Sequence, residues 1–196
     1  NSAIGHQTRP AVAWNNTDNE FLVIWEEYSG ATSNSFIRGQ RVSTSGNLLG
    51  PIIDVEYGLW FYTFSPSVSW NGTNYLVAYT ARHIAFLQGD YDIRARTVSS
   101  SGAVGSAFMI SNEVRSEANP AIAWNGTNHL VVWEDLRSGW ENTYIYGQLV
   151  NSTGGLVESN FPITRTNYAC TPCIASDNSN FLEYQTGSGW KLEYQT

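Results

Sequence analysis

Apolar segments and turns recur along the chain in a fixed order, four times in all. Each copy opens with a proline-led segment of alternating pattern, passes through an asparagine-containing turn, and continues into a second apolar segment. The copies start at Pro10, Pro66, Pro120 and, in a degenerate form, Pro172, which are 56, 54 and 52 residues apart. A period of this length predicts a repeat architecture in which each copy is one supersecondary unit.

Each unit is predicted to hold about four short strands joined by tight turns, which makes a meander. The second strand, at residues 130–133 for example, is apolar at every position. A strand with one buried face would alternate between apolar and polar residues, so we expect burial on both faces. This is what a blade between two neighbouring blades requires, and it favours an all-β, four-unit β-propeller over a one-layer meander or a sandwich. The predicted units are 10–65, 66–119, 120–171, and 172–196 completed by 1–9.

The repeats share the pattern P-x-[VI]-A-W-N-G-T-N-x-L-V-V-W, followed by an I-x-G-Q-x-V-x-S-x-G stretch. This pattern resembles the tandem repeats of secreted β-propeller proteins, and the resemblance covers nearly the whole chain. It implies a secreted protein with a propeller fold, and it leaves the activity open because one fold serves many functions. The fourth copy departs from the pattern, with Ser176 in place of the tryptophan and Glu183 within the second strand.

The fourth unit is too short to supply all of its own strands. Only 25 residues run from the fourth proline to the end of the chain, enough for a first strand and a hairpin. We expect the segment with Ser2, Ala3 and Ile4 to complete this four-stranded antiparallel blade by pairing with the last strand, which carries Leu192 and Tyr194. The pairing either closes a ring within one chain or joins neighbouring chains into a polymer by strand addition. The residues leave both arrangements open, and an unpaired edge would promote association.

Composition excludes several classes of partner. The net charge is −7 and only 14% of the residues are charged, so the chain has no basic surface for nucleic acid. It has no polybasic segment for an anionic membrane and no apolar run long enough to cross a bilayer. A surface rich in Asn, Ser and Thr, with little lysine and one pair of cysteines, favours an extracellular location. We expect no cofactor and no metal.

Two covalent modifications are predicted. The Asn-x-Ser/Thr sequons are N-glycosylation candidates in a eukaryotic secretory setting, although Asn-Gly is also good turn chemistry. Cys170 and Cys173 flank a Thr-Pro pair, and a redox Cys-x-x-Cys motif would need a helix after it. We therefore expect a local disulfide at the turn before the fourth unit. The four sequons start at Asn15, Asn71, Asn125 and Asn151.

Paired carboxylates and loop aromatics are the candidates for chemistry. Carboxylates follow the second strand in units one and three, and because they recur with the repeat we interpret them as turn residues rather than as the acid pair of a glycosidase. Aromatic residues in segments 57–62 and 84–87 do not follow the repeat and can pack at a blade edge or meet a ligand. Trp140 and Trp190 share a loop position and are ligand candidates, but units one and two have no clear match. The carboxylates are Glu26, Glu27, Glu134 and Asp135.

These observations predict a non-catalytic, extracellular structural protein that is glycosylated and associates with itself, as a fibre subunit joined by strand addition. The alternative is a carbohydrate-binding, lectin-like propeller, and a glycosidase ranks third. A lectin-like propeller predicts matching loop aromatics in every unit. A glycosidase predicts two inward-facing carboxyl groups about 5–9 Å apart. The expected partners are further copies of the chain, or glycans.

Overall fold

The computed structural model describes residues 5–29, 34–57, 61–83, 90–139, 142–164, 170–186 and 191–194. The regular elements in these residues are β-strands, and no helix long and apolar enough to cross a membrane is found among them. The strands are β1 (His6–Asn15), β2 (Glu20–Ser29), β3 (Asn34–Ser43), β4 (Leu48–Glu56), β5 (Phe61–Trp70), β6 (Asn74–His83), β7 (Asp92–Ser99), β8 (Phe108–Ser111), β9 (Glu117–Trp124), β10 (Asn128–Asp135), β11 (Tyr144–Asn151), β12 (Leu156–Pro162), β13 (Cys170–Ser176), β14 (Phe181–Thr186) and β15 (Lys191–Tyr194).

The strands form four antiparallel sheets, each built from one stretch of the chain. The first three sheets follow the chain order β1-β2-β3-β4, β5-β6-β7-β8 and β9-β10-β11-β12, and the fourth has the described strands β13-β14-β15. The first strands of neighbouring sheets pack side by side, β1 with β5, β5 with β9 and β9 with β13. The sheets are therefore blades with an inner strand each, which confirms the predicted propeller-like repeat.

Among the described residues, the hydrophobic core forms three layers, each between two neighbouring blades. The second strand of a blade contributes to both adjoining layers, because successive side chains of a strand point to opposite faces. In β6, Val77 packs toward the first blade with Leu22 and Ile24, whereas Leu76 packs toward the third blade with Trp133. This two-sided packing explains why the second strand is apolar at every position.

Each inner strand bulges directly before its repeat proline, and the bulge sets the direction of the side chain there. The strand register shifts at this point in all four sheets. The residue ahead of the proline has a positive φ, in the left-handed region that bulky residues adopt only at a cost. A bulge re-aims a side chain out of the regular alternation. The four residues are Arg9 (φ 50°), Ser65 (φ 50°), Asn119 (φ 54°) and Thr171 (φ 52°).

The described part of the fourth blade is a first strand and a hairpin, as the sequence predicted. Its last described strand, β15, carries Leu192 and Tyr194 and pairs with β14. The predicted fourth strand, with Ser2, Ala3 and Ile4, lies outside the described residues. The closure of this blade therefore stays a prediction.

The described chain starts in the first blade. Gly5 packs so closely against the backbone carbonyl of Tyr28 in β2 that any side chain at this position would overlap it. His6 then pairs with Tyr28 as β1 begins. A glycine is required here because β1 and β2 approach each other without room for a Cβ atom.

Candidate functional site

The bulges place four polar side chains at one level of the inner strands. We call Arg9, Ser65, Asn119 and Thr171 the axial ring. Side chains of neighbouring blades meet within it. The Ser65 hydroxyl donates to Asn119 Oδ1 at 2.8 Å, and the Arg9 guanidinium carbon lies 5.8 Å from the centre of the Phe64 ring. The ring thus joins residues that are more than 50 positions apart in the sequence.

The second strands bring a further polar residue to the axial ring. This residue comes directly after Trp25, Tyr79 or Trp133 in the chain. It is Glu26 in the first blade, Thr80 in the second and Glu134 in the third. Thr80 Oγ1 accepts a hydrogen bond from the backbone N–H of Asn119 at 3.1 Å. Glu134 Oε1 accepts one from the backbone N–H of Thr171 at 2.6 Å. In both cases the acceptor belongs to the preceding blade, so these bonds connect neighbouring blades at the ring.

Arg9 and Glu26 form the charged part of this region. Arg9 Nη1 lies 2.7 Å from Glu26 Oε2, and the side chains are 56% and 14% exposed. The ion pair occupies one N–H group of a guanidinium that carries five. Arg9 therefore keeps donors on its exposed edge.

An open cleft lies beside this ion pair, between the first and second blades. Its volume is about 300 Å³. The Tyr28 and Tyr62 side chains are each 37% exposed, and the Phe64 and Tyr91 rings meet edge to face at 5.2 Å. We call it the aromatic cleft, and its lining residues are Arg9, Glu26, Tyr28, Ser35, Tyr62, Phe64 and Tyr91.

This arrangement suits a polyhydroxylated ligand. Exposed aromatic faces bind the apolar C–H face of a sugar ring, while a tyrosine hydroxyl can bind a sugar hydroxyl. Arginine and carboxylate groups make strong, directional hydrogen bonds to polar groups. The described residues hold no group of three or more His, Cys, Asp or Glu side chains that could bind a metal ion.

Two carboxylates are buried next to each other where β9 begins and β10 ends. Glu117 and Asp135 are directly opposed in the register, and both are fully buried. Burial raises the pKa of Glu117 to about 8; the Ser111 hydroxyl, which donates to Glu117 at 2.6 Å, opposes this shift and the charge of Asp135 adds to it. Arg137 contacts Asp135 at 2.7 Å. Because neither carboxylate has exposed surface, we assign this pair to the packing of the third blade.

Glu27 also has a structural role. It accepts hydrogen bonds from Gln7 Nε2 at 3.1 Å and from Arg38 Nη1 at 2.8 Å. The four predicted turn carboxylates lie within the second strands β2 and β10 instead of after them. Glu27 and Asp135 bind side chains of their own blade, while Glu26 and Glu134 lie at the axial ring. The two groups lie apart because adjacent side chains of a strand point to opposite faces of the sheet.

The predicted glycosylation residues are turn residues in the structure. Asn15 Oδ1 accepts hydrogen bonds from the backbone N–H groups of residues 17 and 18 at 2.9 and 3.0 Å, and Asn71, Asn125 and Asn151 bind their own turns in the same way. Asn15 is fully buried and Asn125 is 5% exposed. A buried amide cannot carry a glycan in this conformation, so turn chemistry explains these two sequons. Glycosylation of the half-buried Asn71 and Asn151 stays a prediction.

The structure does not support the predicted disulfide. Cys170 and Cys173 lie in the same strand, β13, and Cys173 is exposed with a free thiol. The predicted ligand residues Trp140 and Trp190 lie outside the described residues.

Sequence reasoning missed most of the cleft. Tyr62 belongs to an aromatic segment that departs from the repeat, but Arg9, Tyr28, Phe64 and Tyr91 were not singled out. A signal was present in the repeat itself. The residue ahead of each repeat proline differs from copy to copy, although the five positions that follow the first three prolines hardly vary.

The sequence matches no protein-family model and no curated protein. Several solved structures do match its fold. The chain is similar to an endo-arabinase from Bacteroides thetaiotaomicron, at 11% identity and a TM-score of 0.64, covering 100% of this chain and 77% of that one. An endo-arabinanase of family GH43 from Bacillus licheniformis matches at 12% identity and a TM-score of 0.56, covering 97% and 73%. A Trypanosoma rangeli sialidase matches at 9% identity and a TM-score of 0.65, covering 98% of this chain and 36% of that chain. At these identities the likeness shows a shared propeller fold.

These likenesses contradict the expectation of a non-enzymatic structural subunit. Arabinanases and sialidases are among the structures that match nearly the whole chain. The sequence argument had treated carboxylates that recur with the repeat as turn residues. Glu26 recurs with the repeat and nevertheless lines the aromatic cleft.

Proposed function

We propose that this chain is a carbohydrate-active β-propeller that hydrolyses glycosidic bonds, with the sugar bound in the aromatic cleft. The observation that carries the proposal is the composition of this cleft, which combines four aromatic rings with the Arg9–Glu26 ion pair. The likeness to arabinanases and sialidases supports it at the level of the fold. We also propose an extracellular location, which suits an enzyme for glycans and a surface poor in charged residues.

Glu26 and Glu134 are the carboxyl groups that we propose for catalysis. Glycosidases cleave their substrates with two carboxyl groups that flank the scissile bond. Glu26 lines the cleft, and its Oε2 lies 2.7 Å from Arg9 Nη1, so we assign it the role of nucleophile or base. Glu134 holds the equivalent position two blades further on, beside Thr171 of the axial ring. We therefore propose Glu134 as the second carboxyl group, on the equivalence of its position to that of Glu26.

The aromatic residues of the cleft would hold the sugar next to Glu26. Tyr28 and Tyr62 offer exposed faces for stacking, and the edge-to-face contact between Phe64 and Tyr91 fixes the floor of the cleft. Holding a substrate in the reactive geometry removes much of the entropic part of the barrier. Cleavage thus depends on both the stacking surface and the carboxylate.

Glu26→Gln is the direct test of this proposal. The wild-type chain is assayed for reducing-sugar release from linear arabinan, sialyl oligosaccharides and galacto-oligosaccharides. We expect Glu26→Gln to lower the rate on the accepted substrate by about 10²- to 10⁴-fold, because acid–base catalysis by a side chain is worth this much. Glu158→Gln, an exposed carboxylate on the outer strand β12, is the matched control and should keep full activity.

Two results would contradict the proposal in different ways. If the wild-type chain cleaves none of the three substrate classes, hydrolysis is refuted for these glycans. If Glu26→Gln retains the wild-type rate, another group performs the chemistry.

A carbohydrate-binding role is the second candidate function, and the exposed faces of Tyr28 and Tyr62 favour it. It predicts binding of a glycan with no product release. Calorimetric titration of the same oligosaccharides measures binding, and the reducing-sugar assay measures cleavage. Binding without cleavage indicates the carbohydrate-binding role.

A further inference from the structure

The axial ring has the same unusual backbone in every blade. Arg9, Ser65, Asn119 and Thr171 all have φ between 50° and 54°. For residues other than glycine and asparagine, such conformations cost on the order of 1–3 kcal/mol and concentrate at sites where the geometry serves a function. Three of the four ring residues are of this costly kind. The fold repeats this backbone conformation four times at one level of the inner strands.

The ring residues differ from one another, whereas the residues that follow them in the chain hardly vary among the first three blades. We call these following residues the frame residues. Each ring residue is followed by proline, and in the first three blades a small residue, Val or Ile, a second small residue and Trp come next. These frame residues pack between blades, as Ala13 and Val68 do in the first layer. Packing therefore constrains the frame residues but not the residue ahead of the proline. A position whose side chain varies while its backbone stays fixed is suited to recognising a ligand.

We infer that the axial ring is a specificity-determining set, in which Ser65 and Asn119 bind hydroxyl groups of an uncharged sugar residue next to the one in the aromatic cleft. The inference rests on the proposed function. Ser65 donates its hydroxyl proton to Asn119 Oδ1, which leaves the Ser65 oxygen as an acceptor and the Asn119 amide nitrogen as a donor. A sugar hydroxyl both donates and accepts, so it satisfies both groups at once.

The geometry of this pair is fixed before a ligand arrives. The bulge orients both residues, and the Asn119 backbone N–H is held by Thr80 Oγ1 at 3.1 Å. Prior ordering lowers the entropic cost of binding. A site built to bind a hydroxyl also rejects a sugar that lacks it, because the polar groups would be left unpaired. The Ser65–Asn119 pair therefore sets sugar identity, while the aromatic cleft supplies general affinity.

The first test variant removes the Ser65 side chain without adding backbone strain. Ser65→Gly deletes the hydroxyl at a positive φ that glycine adopts freely. We expect its Kd for the accepted oligosaccharide to rise about tenfold, the effect of one lost hydrogen bond. Its Tm should be no lower than that of the wild type, because relief of the strain offsets the lost bond to Asn119.

Two further variants complete the experiment. Glu158→Gly is the matched control, since Glu158 also has a positive φ, 59°, but lies on the outer strand β12. It should leave the Kd unchanged and raise the Tm by about 2–4 °C. Asn119→Asp keeps the acceptor and tolerates the left-handed backbone but loses the amide donor. It should weaken binding as Ser65→Gly does.

The outcomes separate this inference from the proposed function. If Ser65→Gly and Asn119→Asp both bind the oligosaccharide as tightly as the wild type, the inference is overturned while hydrolysis by the cleft stands. If the wild-type chain binds sugars with the expected losses in both variants but releases no product, the ring inference holds and the proposed hydrolysis fails. If the wild-type chain binds no sugar at all, both fail.

Discussion

A histidine in the third blade occupies a position that is aromatic in the first two blades. His129 packs against Trp124 with ring centres 4.8 Å apart, as Phe21 and Tyr75 pack against the tryptophans of their own blades. His129 is 1% exposed, and neither ring nitrogen has a hydrogen-bond partner among the described residues. The protein therefore carries a buried polar group that the repeat itself shows to be replaceable.

His129→Phe is predicted to stabilise the protein at pH 7. An unpaired buried polar group costs about 1–3 kcal/mol, and phenylalanine restores the residue type of the first blade without changing the ring contact to Trp124. We expect the free energy of unfolding to rise by about 1–2 kcal/mol, measured by urea unfolding followed by tryptophan fluorescence. A variant less stable than the wild type would show that the ring nitrogens have partners, such as bound water.

At the scale of elements, the first hairpin of every blade depends on one side-chain acceptor. Asn15, Asn71 and Asn125 each accept two backbone N–H bonds within the turn, and Asp177 does so in the fourth blade at 2.9 and 2.7 Å. Backbone hydrogen bonds lower the pKa of Asp177, as expected for a carboxylate that accepts them. Asparagine and aspartate are thus interchangeable in this role, whereas a sequon needs asparagine.

Asn125→Ala is predicted to destabilise the third blade, and Asn125→Asp is predicted to be tolerated. Alanine removes two turn hydrogen bonds at a buried position, which should cost about 1–3 kcal/mol. Aspartate keeps the acceptor oxygen that receives both bonds, as Asp177 does in the fourth blade. Thermal unfolding of the two variants distinguishes turn chemistry from glycosylation, because both remove the sequon. Equal losses of stability would indicate that the asparagine matters for another reason.

How far an element could be predicted depended on what determines it. Two-sided burial of the second strand was predictable, because residues such as Leu76 and Val77 must both be apolar for adjoining layers to form. The bulge ahead of the repeat proline was not, since Arg9 and Thr171 have no preference for a left-handed backbone. The packing of neighbouring blades imposes that conformation. The cleft was hidden for a similar reason, because Tyr91 joins it only after the second blade has folded against the first.

At the scale of the whole molecule, two buried groups in the third blade oppose each other in their effect on stability. Burial raises the pKa of Glu117 to about 8 from 4.5. Its contribution to stability is fully present below pH 4.5 and is lost as the pH rises to about 8. Burial lowers the pKa of His129 to about 3 from 6.5. Its contribution is present above pH 6.5 and is lost as the pH falls toward 3.

Between pH 4.5 and 6.5 the two contributions change with opposite slopes of about 1.4 kcal/mol per pH unit, so their sum should be level there and fall on either side. Removing one of the two groups should make the free energy of unfolding depend on pH in this range. Relative to the wild type, His129→Phe should gain stability increasingly below pH 6.5, because the loss on the acid side disappears. Glu117→Gln should gain increasingly above pH 4.5, because the loss on the alkaline side disappears. Urea unfolding at half-unit steps from pH 3.5 to 8.5 measures both differences, and comparing each variant with the wild type isolates one group from all others. A difference that stays constant across this range would mean that the group keeps its ordinary pKa in the folded blade.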